Sequence, residues 1–326
     1  MSGVQLKTIT RQDDGIRLDR WFARHYPDLK NGQLQRLLRA KNIRVNNQKA
    51  TANQRLNADD ELRIPPLAVS EKENAPRDLT KADAAFMQDI VLYKDADVIV
   101  INKPAGIAVQ GGTKTERHID GLLDALRFGL PEKPRLVHRL DKETSGVLVL
   151  ARHAKAAEKL TKAFATRAAR KAYWAVVVGK PKLPQGKIDA PLIKKPAGDG
   201  GESMAIDFDH GQRAITLYRV VDALASRASW LELFPLTGRT HQLRVHTAQG
   251  LNTPIAGDTK YGAERAEVLG LSPRMHLHAR AIQIPHPARG VLSVTAPIPP
   301  YMKDSFKFLG FEESDSQNPF AFLQEA

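Results

Sequence analysis

Three apolar runs, Val98–Ile101, Val147–Ala151 and Val176–Val178, limit most sharply what this 326-residue chain can become. They are strand-length, far short of the roughly 20 residues that a membrane-spanning helix needs. Short runs that are apolar at successive positions read as buried strands. Other segments alternate in polarity: Thr216–Val221, Ser229–Phe234, His276–Ile284 and Gly290–Ala296. Helical spacing appears in Ile119–Phe128 and in Ala154–Ala168, where Ala157, Leu160 and Phe164 share a face. Many short strands with a few helices between them predict an α+β fold rather than a regular βαβ alternation.

Charge narrows the partners. The chain holds 49 Lys and Arg against 36 Asp and Glu, a net +13, which points to a polyanion and first to nucleic acid. Residues 1–65 form a unit by composition, with 4 Lys and 9 Arg against 6 Asp and 1 Glu, a net +6. Leu18, Trp21, Phe22 and His25 repeat at helical spacing, as do Leu34, Leu37 and Leu38. Arg36, Arg39 and Lys41 fall largely off the second stripe, and Arg44 lies in an alternating strand that runs into an Asn46-Asn47 turn. Asp59–Pro65 closes the unit with a further short strand. Two basic helices on a small hairpin sheet can hold structured RNA by shape and phosphate contact. The pattern resembles the small S4-like (alpha-L) RNA-binding domain found in a ribosomal small-subunit protein and in several RNA-modifying enzymes.

Residues 66–85 are polar and Pro-bearing and read as a linker; 86–310 read as one globular domain, and 311–326 as a loosely held acidic tail. Within the large domain, Gly111-Gly112-Thr113 marks a flexible loop and residues 181–213 a surface excursion or long hairpin. Thr240 is placed as a helix N-cap.

Several chemistries have no basis in these residues. The chain has no cysteine, so disulfides, thiolate catalysis and Cys-ligated zinc are impossible. Phosphate-loop, dinucleotide and nucleophile-elbow motifs are missing. His241 and His246 are five apart, not the i, i+4 pair of a helical zinc site. No metal and no cofactor are expected. The start of the chain carries no apolar leader, and a soluble cytoplasmic protein without membrane attachment is expected.

What remains is Arg135–Arg152, in which one carboxylate, Asp141, stands among His138, Arg139 and Lys142 just before the apolar strand. Basic neighbours favour its charged form. A charged, positioned Asp can be a base, a metal ligand or a nucleophile, and these residues alone leave all three open.

His138-Arg139-Leu140-Asp141-Lys142-Glu143-Thr144-Ser145-Gly146 resembles the signature of the RluA family of pseudouridine synthases, within which the chain is most like the enzymes of large-subunit ribosomal RNA. Lys103–Gly106, Lys171–Ala175, Gly238–His246 and Gly257–Gly262 match further family motifs in order. One departure is Gly211-Gln212-Arg213-Ala214, where the family often has Gly-Lys, so that the positive charge moves by one position. The resemblance implies a pseudouridine synthase fold with a central mixed, mostly antiparallel β-sheet. It also implies cofactor-free isomerisation of uridine, moving uracil from an N1 to a C5 glycosidic bond.

By that resemblance Asp141 attacks the sugar C1′, abstracts a C2′ proton, or adds to uracil C6. Tyr173 stacks on the uracil, Arg244 pairs with Asp141, and Leu243 packs beneath the base. Arg139 fills the space of a flipped-out uridine, and Arg239 and Lys103 are placed on RNA phosphates. Large-subunit ribosomal RNA, alone or in pre-ribosomal particles, is the expected partner, with no obligatory protein partner. A tRNA-directed or dual-specificity synthase, a non-catalytic RNA-binding or ribosome-assembly protein, and a metal-dependent nuclease are the competing readings.

Overall fold

The computed structural model describes residues 3–26, 29, 31–67, 79–111, 117–196 and 202–325. The chain divides into two compact units, Met1–Asp78 and Leu79–Ala326. Gly112 and Thr113 of the expected flexible loop, and most of the expected linker, lie outside the described residues. Among the described residues no helix is long and apolar enough to cross a membrane.

In the first unit, helices α1 (Leu18–His25) and α2 (Asn31–Arg39) accompany a four-stranded antiparallel sheet in the order β1-β4-β2-β3. Its strands are β1 (Gln5–Thr8), β2 (Arg44–Val45), β3 (Gln48–Lys49) and β4 (Glu61–Ile64). The β2–β3 turn works because Asn46 and Asn47 both take positive φ, 48° and 62°, the pattern of a type I′ hairpin. Leu18, Trp21, Phe22, Leu34 and Leu38 bury with Ile43, Leu62 and Ile64. His25 falls on the apolar stripe for a polar reason. Buried Asp13 accepts from Trp21 Nε1 at 3.1 Å and Arg24 Nη1 at 2.6 Å, and meets His25 Nε2 at 2.9 Å. Arg36, Arg39 and Lys41 are exposed, and Arg44 is half-buried.

The second unit begins inside the stretch expected to be linker. Thr80 Oγ1 caps α3 (Lys81–Asp89) by accepting from Asp83 N at 3.0 Å, and Met87 is fully buried. A ten-stranded sheet then runs β10-β13-β14-β9-β15-β8-β6-β5, with β16 on β15 and β7 on β8. The strands are β5 (Val91–Lys94), β6 (Val98–Lys103), β7 (Arg135–Leu136), β8 (Ser145–Ala151), β9 (Arg170–Val178), β10 (Gln185–Asp189), β13 (Ile215–Leu224), β14 (Ala228–Pro235), β15 (Leu277–Pro285) and β16 (Val291–Thr295). The excursion at 181–213 supplies β10 to this sheet and a separate hairpin, β11 (Leu192–Pro196) with β12 (Glu202–Ile206). All pairings in the large sheet are antiparallel except β15 with β8, which makes the sheet mixed.

Strands β6 and β8 are continuously apolar over Val98–Ile101 and Val147–Ala151 because both faces are covered there. Val98, Val100, Val147 and Val149 pack with Ala156 and Leu160 of α5 (Ala154–Ala165), whereas Ile99, Ile101, Leu148 and Leu150 pack with Ile119, Leu123 and Leu126. Those last residues belong to a short helix, α4 (Ile119–Leu122), continued by a 3-10 turn. On β9, Trp174 and Val176 face α7 (Pro300–Leu309) through Met302 and Phe306. Ala175 and Val177 turn the other way, toward Leu231, Leu233 and Leu243. The chain end is not loose: Phe311, Phe320 and Phe322 are buried, and Ser316 Oγ bonds to the Glu232 carboxylate. The apolar residues scattered through an acidic segment are what hold it down.

Candidate active site

Asp141 lies on the loop that enters β8 at the parallel junction. There Ser145 pairs with His278 and Gly146 with Ala279. Gly146 has φ +110°, and a Cβ on it would sit 2.2 Å from the Ala279 carbonyl oxygen, so only glycine lets β15 approach this closely. Ser145 Oγ and His278 Nδ1 lie 2.9 Å apart across the same junction, and burial pushes His278 down to a pKa of about 3. Beyond Gly146, His138 takes over part of the ladder: its Nε2 accepts from Val149 N at 2.8 Å while its ring stacks on Phe164 at 4.3 Å. Burial, with a smaller push from Lys171, lowers His138 to about 3, so the ring stays a neutral acceptor.

Lys103 holds the other side of this loop. Its side chain is fully buried and its ammonium donates to Pro104 O at 2.8 Å, Ile107 O at 2.9 Å and Lys142 O at 3.0 Å. Gly106 N adds a bond to Lys142 O at 2.9 Å. Burial draws Lys103 down to about 7, against the pull of Glu143 and Asp141. The expected RNA phosphate contact is therefore wrong for Lys103: its three N–H groups are used inside the protein.

The facing wall comes from residues 237–262. Helix α6 (Gln242–Val245) is preceded by His241 in the left-handed region, φ 52°. The expected Thr240 N-cap is thus displaced, and the Thr240 hydroxyl instead accepts from Arg139 Nη2 at 3.3 Å. Buried Gln242 accepts from Thr237 Oγ1 at 2.7 Å and Arg239 N at 3.0 Å, and donates to Ile215 O and Thr216 Oγ1. His246 bridges Thr216 Oγ1 and Ala190 O, each at 2.9 Å. Every polar group in this network has a partner, which gives α6 a rigid seat.

From that seat Arg244 reaches two carboxylates. Its Nε and Nη2 form a fork with Asp258, both contacts 2.7 Å, and Nη1 stands 3.8 Å from Asp141 Oδ2. Gly257 makes this possible: at φ +77°, a Cβ there would lie 2.2 Å from Arg274 O. Although burial opposes it, Asp258 and then Asp141 raise the Arg244 pKa, keeping the guanidinium charged. The Arg244 plane lies 4.9 Å from the Tyr261 ring, a cation–π distance. His241 Nε2 stands 4.0 Å from Asp141 Oδ1, and its Nδ1 is 2.6 Å from Tyr261 Oη.

Of the residues singled out from sequence, Asp141 and Arg244 come together, with Asp258 as an unanticipated and much closer partner of the arginine. Tyr173 sits on β9 opposite Ala279 and Leu233, half-buried; burial and the Asp141 charge raise its pKa. Leu243 is buried in the cluster that Tyr173 borders. Arg139 and Arg239 are exposed, and Arg239 Nε donates to Arg213 O at 3.1 Å, beside the displaced positive charge. Asp258, His241 and Tyr261 were missed individually, although all three lie within quoted motifs. Among the described residues, the carboxylate–His groups close enough to share a cation are Asp95–Asp97–His286 and Asp207–Asp209–His210, and neither contains Asp141.

Several known proteins are similar to this chain. Residues 97–249 match the family described as RNA pseudouridylate synthase. Ribosomal large subunit pseudouridine synthase C of Rickettsia conorii is 40% identical over 82% of this chain and 88% of its own length. RNA pseudouridine synthase 4, mitochondrial, of Arabidopsis thaliana is 33% identical over 89% of this chain and 78% of its own. The structure of human RNA Pseudouridylate Synthase Domain Containing 4 superposes with a TM-score of 0.60 at 32% identity, over 70% of this chain and 96% of that one. At these identities and coverages the chain belongs to the RNA pseudouridine synthase family, isomerases that convert uridine to pseudouridine.

Proposed function

We propose that this enzyme isomerises uridines in large-subunit ribosomal RNA, using Asp141 as its catalytic carboxylate and no cofactor. One observation carries the assignment of Asp141. Its carboxylate is 30% exposed and faces Arg244, whose own position is locked by Asp258. A fixed cation beside a partly open carboxylate keeps it aimed at a bound nucleotide. A metal-ligand role fits less well, because Asp258, the carboxylate on the far side of Arg244, is taken up by the Arg244 fork, and neither group of described residues close enough to share a cation contains Asp141.

The target uridine must leave its stack to reach this recess, at a cost of a few kcal/mol. Tyr173 offers the base a ring, worth roughly 1–3 kcal/mol in stacking, with Leu243 packed beneath. Arg139, exposed and, among the described residues, tied to the Thr240 hydroxyl at 3.3 Å, can swing into the vacated stack. Arg239 and residues Arg36, Arg39, Lys41 and Arg44 of an S4-like domain in residues 1–65 bind RNA phosphates. The relatives named for the ribosomal large subunit support that RNA as substrate, and work on it, bare or in pre-ribosomal particles, belongs in the cytoplasm.

Tritium release from RNA labelled at uridine C5 tests the chemistry. Wild type is expected to release it and Asp141→Asn to release none, with RNA binding retained. Equal release by both would refute the role of Asp141. Pseudouridine mapping in a deletion strain tests the substrate: unchanged large-subunit RNA with altered tRNA would move the assignment to tRNA.

A further inference from the structure

Two donors face Asp141 from one turn of chain, three residues apart. Arg244 Nη1 points to Oδ2 and His241 Nε2 to Oδ1, at 3.8 and 4.0 Å. Behind them stand two more residues, also three apart: Asp258 behind Arg244 and Tyr261 behind His241. The Tyr261 hydroxyl accepts from Met204 N at 3.0 Å. Among the described residues, the acceptor within reach of its own hydrogen is His241 Nδ1. With Nδ1 accepting, the imidazole proton resides on Nε2, aimed at Asp141.

We propose that His241 is a positioning residue for the reaction, one arm of a two-armed cradle in which Tyr261 fixes its tautomer and its Nε2–H orients the Asp141 carboxylate. At φ 52° His241 lies in the left-handed region, uncommon for a non-glycine residue though histidine enters it more readily than most. At 4.0 Å the contact is poised rather than made, and a carboxylate shift of about 1 Å closes it to a hydrogen bond. The charged groups around His241 are Asp141, Arg244, Lys260 and Asp258; burial lowers its pKa most, Asp141 opposes that, and Arg244 and Lys260 lower it further against Asp258, so the balance favours the neutral ring. A neutral donor holds Asp141 without neutralising it.

The inference rests on Asp141 being the catalytic carboxylate. The experiment compares wild type, His241→Ala, His241→Gln and Tyr261→Phe in single-turnover reactions at saturating RNA from pH 5 to 9, with RNA affinity measured alongside. Alanine and glutamine meet the same backbone strain, but only glutamine retains a donor. His241→Ala is expected to lose about 10- to 100-fold in rate, the scale of one donor lost from a charged group, with affinity within about threefold. Its acid limb should move up by about one pH unit, because a carboxylate without its donor holds a proton more tightly. Glutamine should restore most of the rate and return the limb. Tyr261→Phe, which keeps the ring beside Arg244 and loses only the hydroxyl, should fall between.

An unchanged rate in His241→Ala, or a rate lost together with affinity while the limb stays in place, would overturn the proposal. If His241→Ala melts at the assay temperature, the glutamine and phenylalanine variants decide by the same limb. Asp141→Asn in the same series separates the two ideas. If it is inactive while His241→Ala matches wild type, only the positioning role fails; if it stays active, the reading of Asp141 itself fails.

Discussion

The two walls of the site are held by opposite means. The loop carrying Asp141 is pinned through its backbone: Lys103 to Lys142 O, Gly106 N to the same oxygen, and Thr144 N to Asp141 O at 3.1 Å. The facing wall is pinned through side chains, with Thr237, Gln242, Thr216 and His246 in one buried network and Arg244 clamped to Asp258. Main-chain anchoring leaves the acceptor capacity of the Asp141 carboxylate open: among the described residues, the side-chain nitrogens facing it stand at 3.8 and 4.0 Å. Side-chain anchoring leaves the opposite wall with nearly all its polar capacity spent. A reactive group needs the first arrangement and the frame that aims it needs the second.

The sharpest way to break this contrast is Asp258→Ala. Removing one partner of a buried ion pair costs about 3–5 kcal/mol, and Asp258 is 1% exposed in its side chain. The freed guanidinium also has a new carboxylate to collapse on, Asp141, so activity is expected to fall by more than stability alone explains. Urea unfolding, and single-turnover rates measured below the melting temperature of the variant, check both. A stability loss below about 1 kcal/mol would mean that the fork is not what holds this wall.

Lys103→Met strikes the other wall and is expected to do less. It strands Pro104 O and Ile107 O while Lys142 O keeps its bond from Gly106 N; because the burial of the ammonium is relieved at the same time, the net loss is about 1–3 kcal/mol. The chemical step should slow as the Asp141 loop loosens, while RNA affinity stays within about twofold, because the ammonium is enclosed by protein and cannot meet phosphate. A strong loss of affinity with a weakened salt dependence would instead return Lys103 to the RNA surface.

Much of this contrast was legible in the residues. The apolar runs at 98–101, 147–151 and 176–178 became β6, β8 and β9 because strands covered on both faces leave an unmistakable pattern. The Asn46-Asn47 turn declared itself by residue type. Lys103 misled because a lysine beside Pro and Gly looks like loop surface, and no local pattern shows that three carbonyls converge on it. Asp258 stayed hidden for a related reason: its partner lies 14 residues away across a turn, and charge pairing at that range has no period. The chain end was misjudged because an acidic composition outweighed Phe320 and Phe322, whose burial depends on a surface built elsewhere. Local order follows from local sequence, whereas the pairing of polar groups across the site is a property of the fold.

His138 offers a finer test of how the Asp141 loop is held. Its folded pKa, about 3, lies below the ordinary value near 6.5 because burial opposes the charged ring, and the bond from Val149 N requires an unprotonated Nε2. Between those two values the unfolded chain binds a proton that the folded chain refuses. Stability from this group is therefore complete above about pH 6.5 and is lost as pH falls toward 3, on the order of 1 kcal/mol per pH unit. His278 acts in the same direction, with a folded value also about 3. Glutamine in place of His138 can accept from Val149 through its carbonyl and does not titrate. His138→Gln is expected to lie within about 1 kcal/mol of wild type at pH 8 and to lose stability less steeply below pH 6.5. Urea unfolding at steps from pH 8 to pH 5 reads the difference in slope; parallel curves would mean that the ring is free to charge and that the ladder bond at Val149 does not hold the loop.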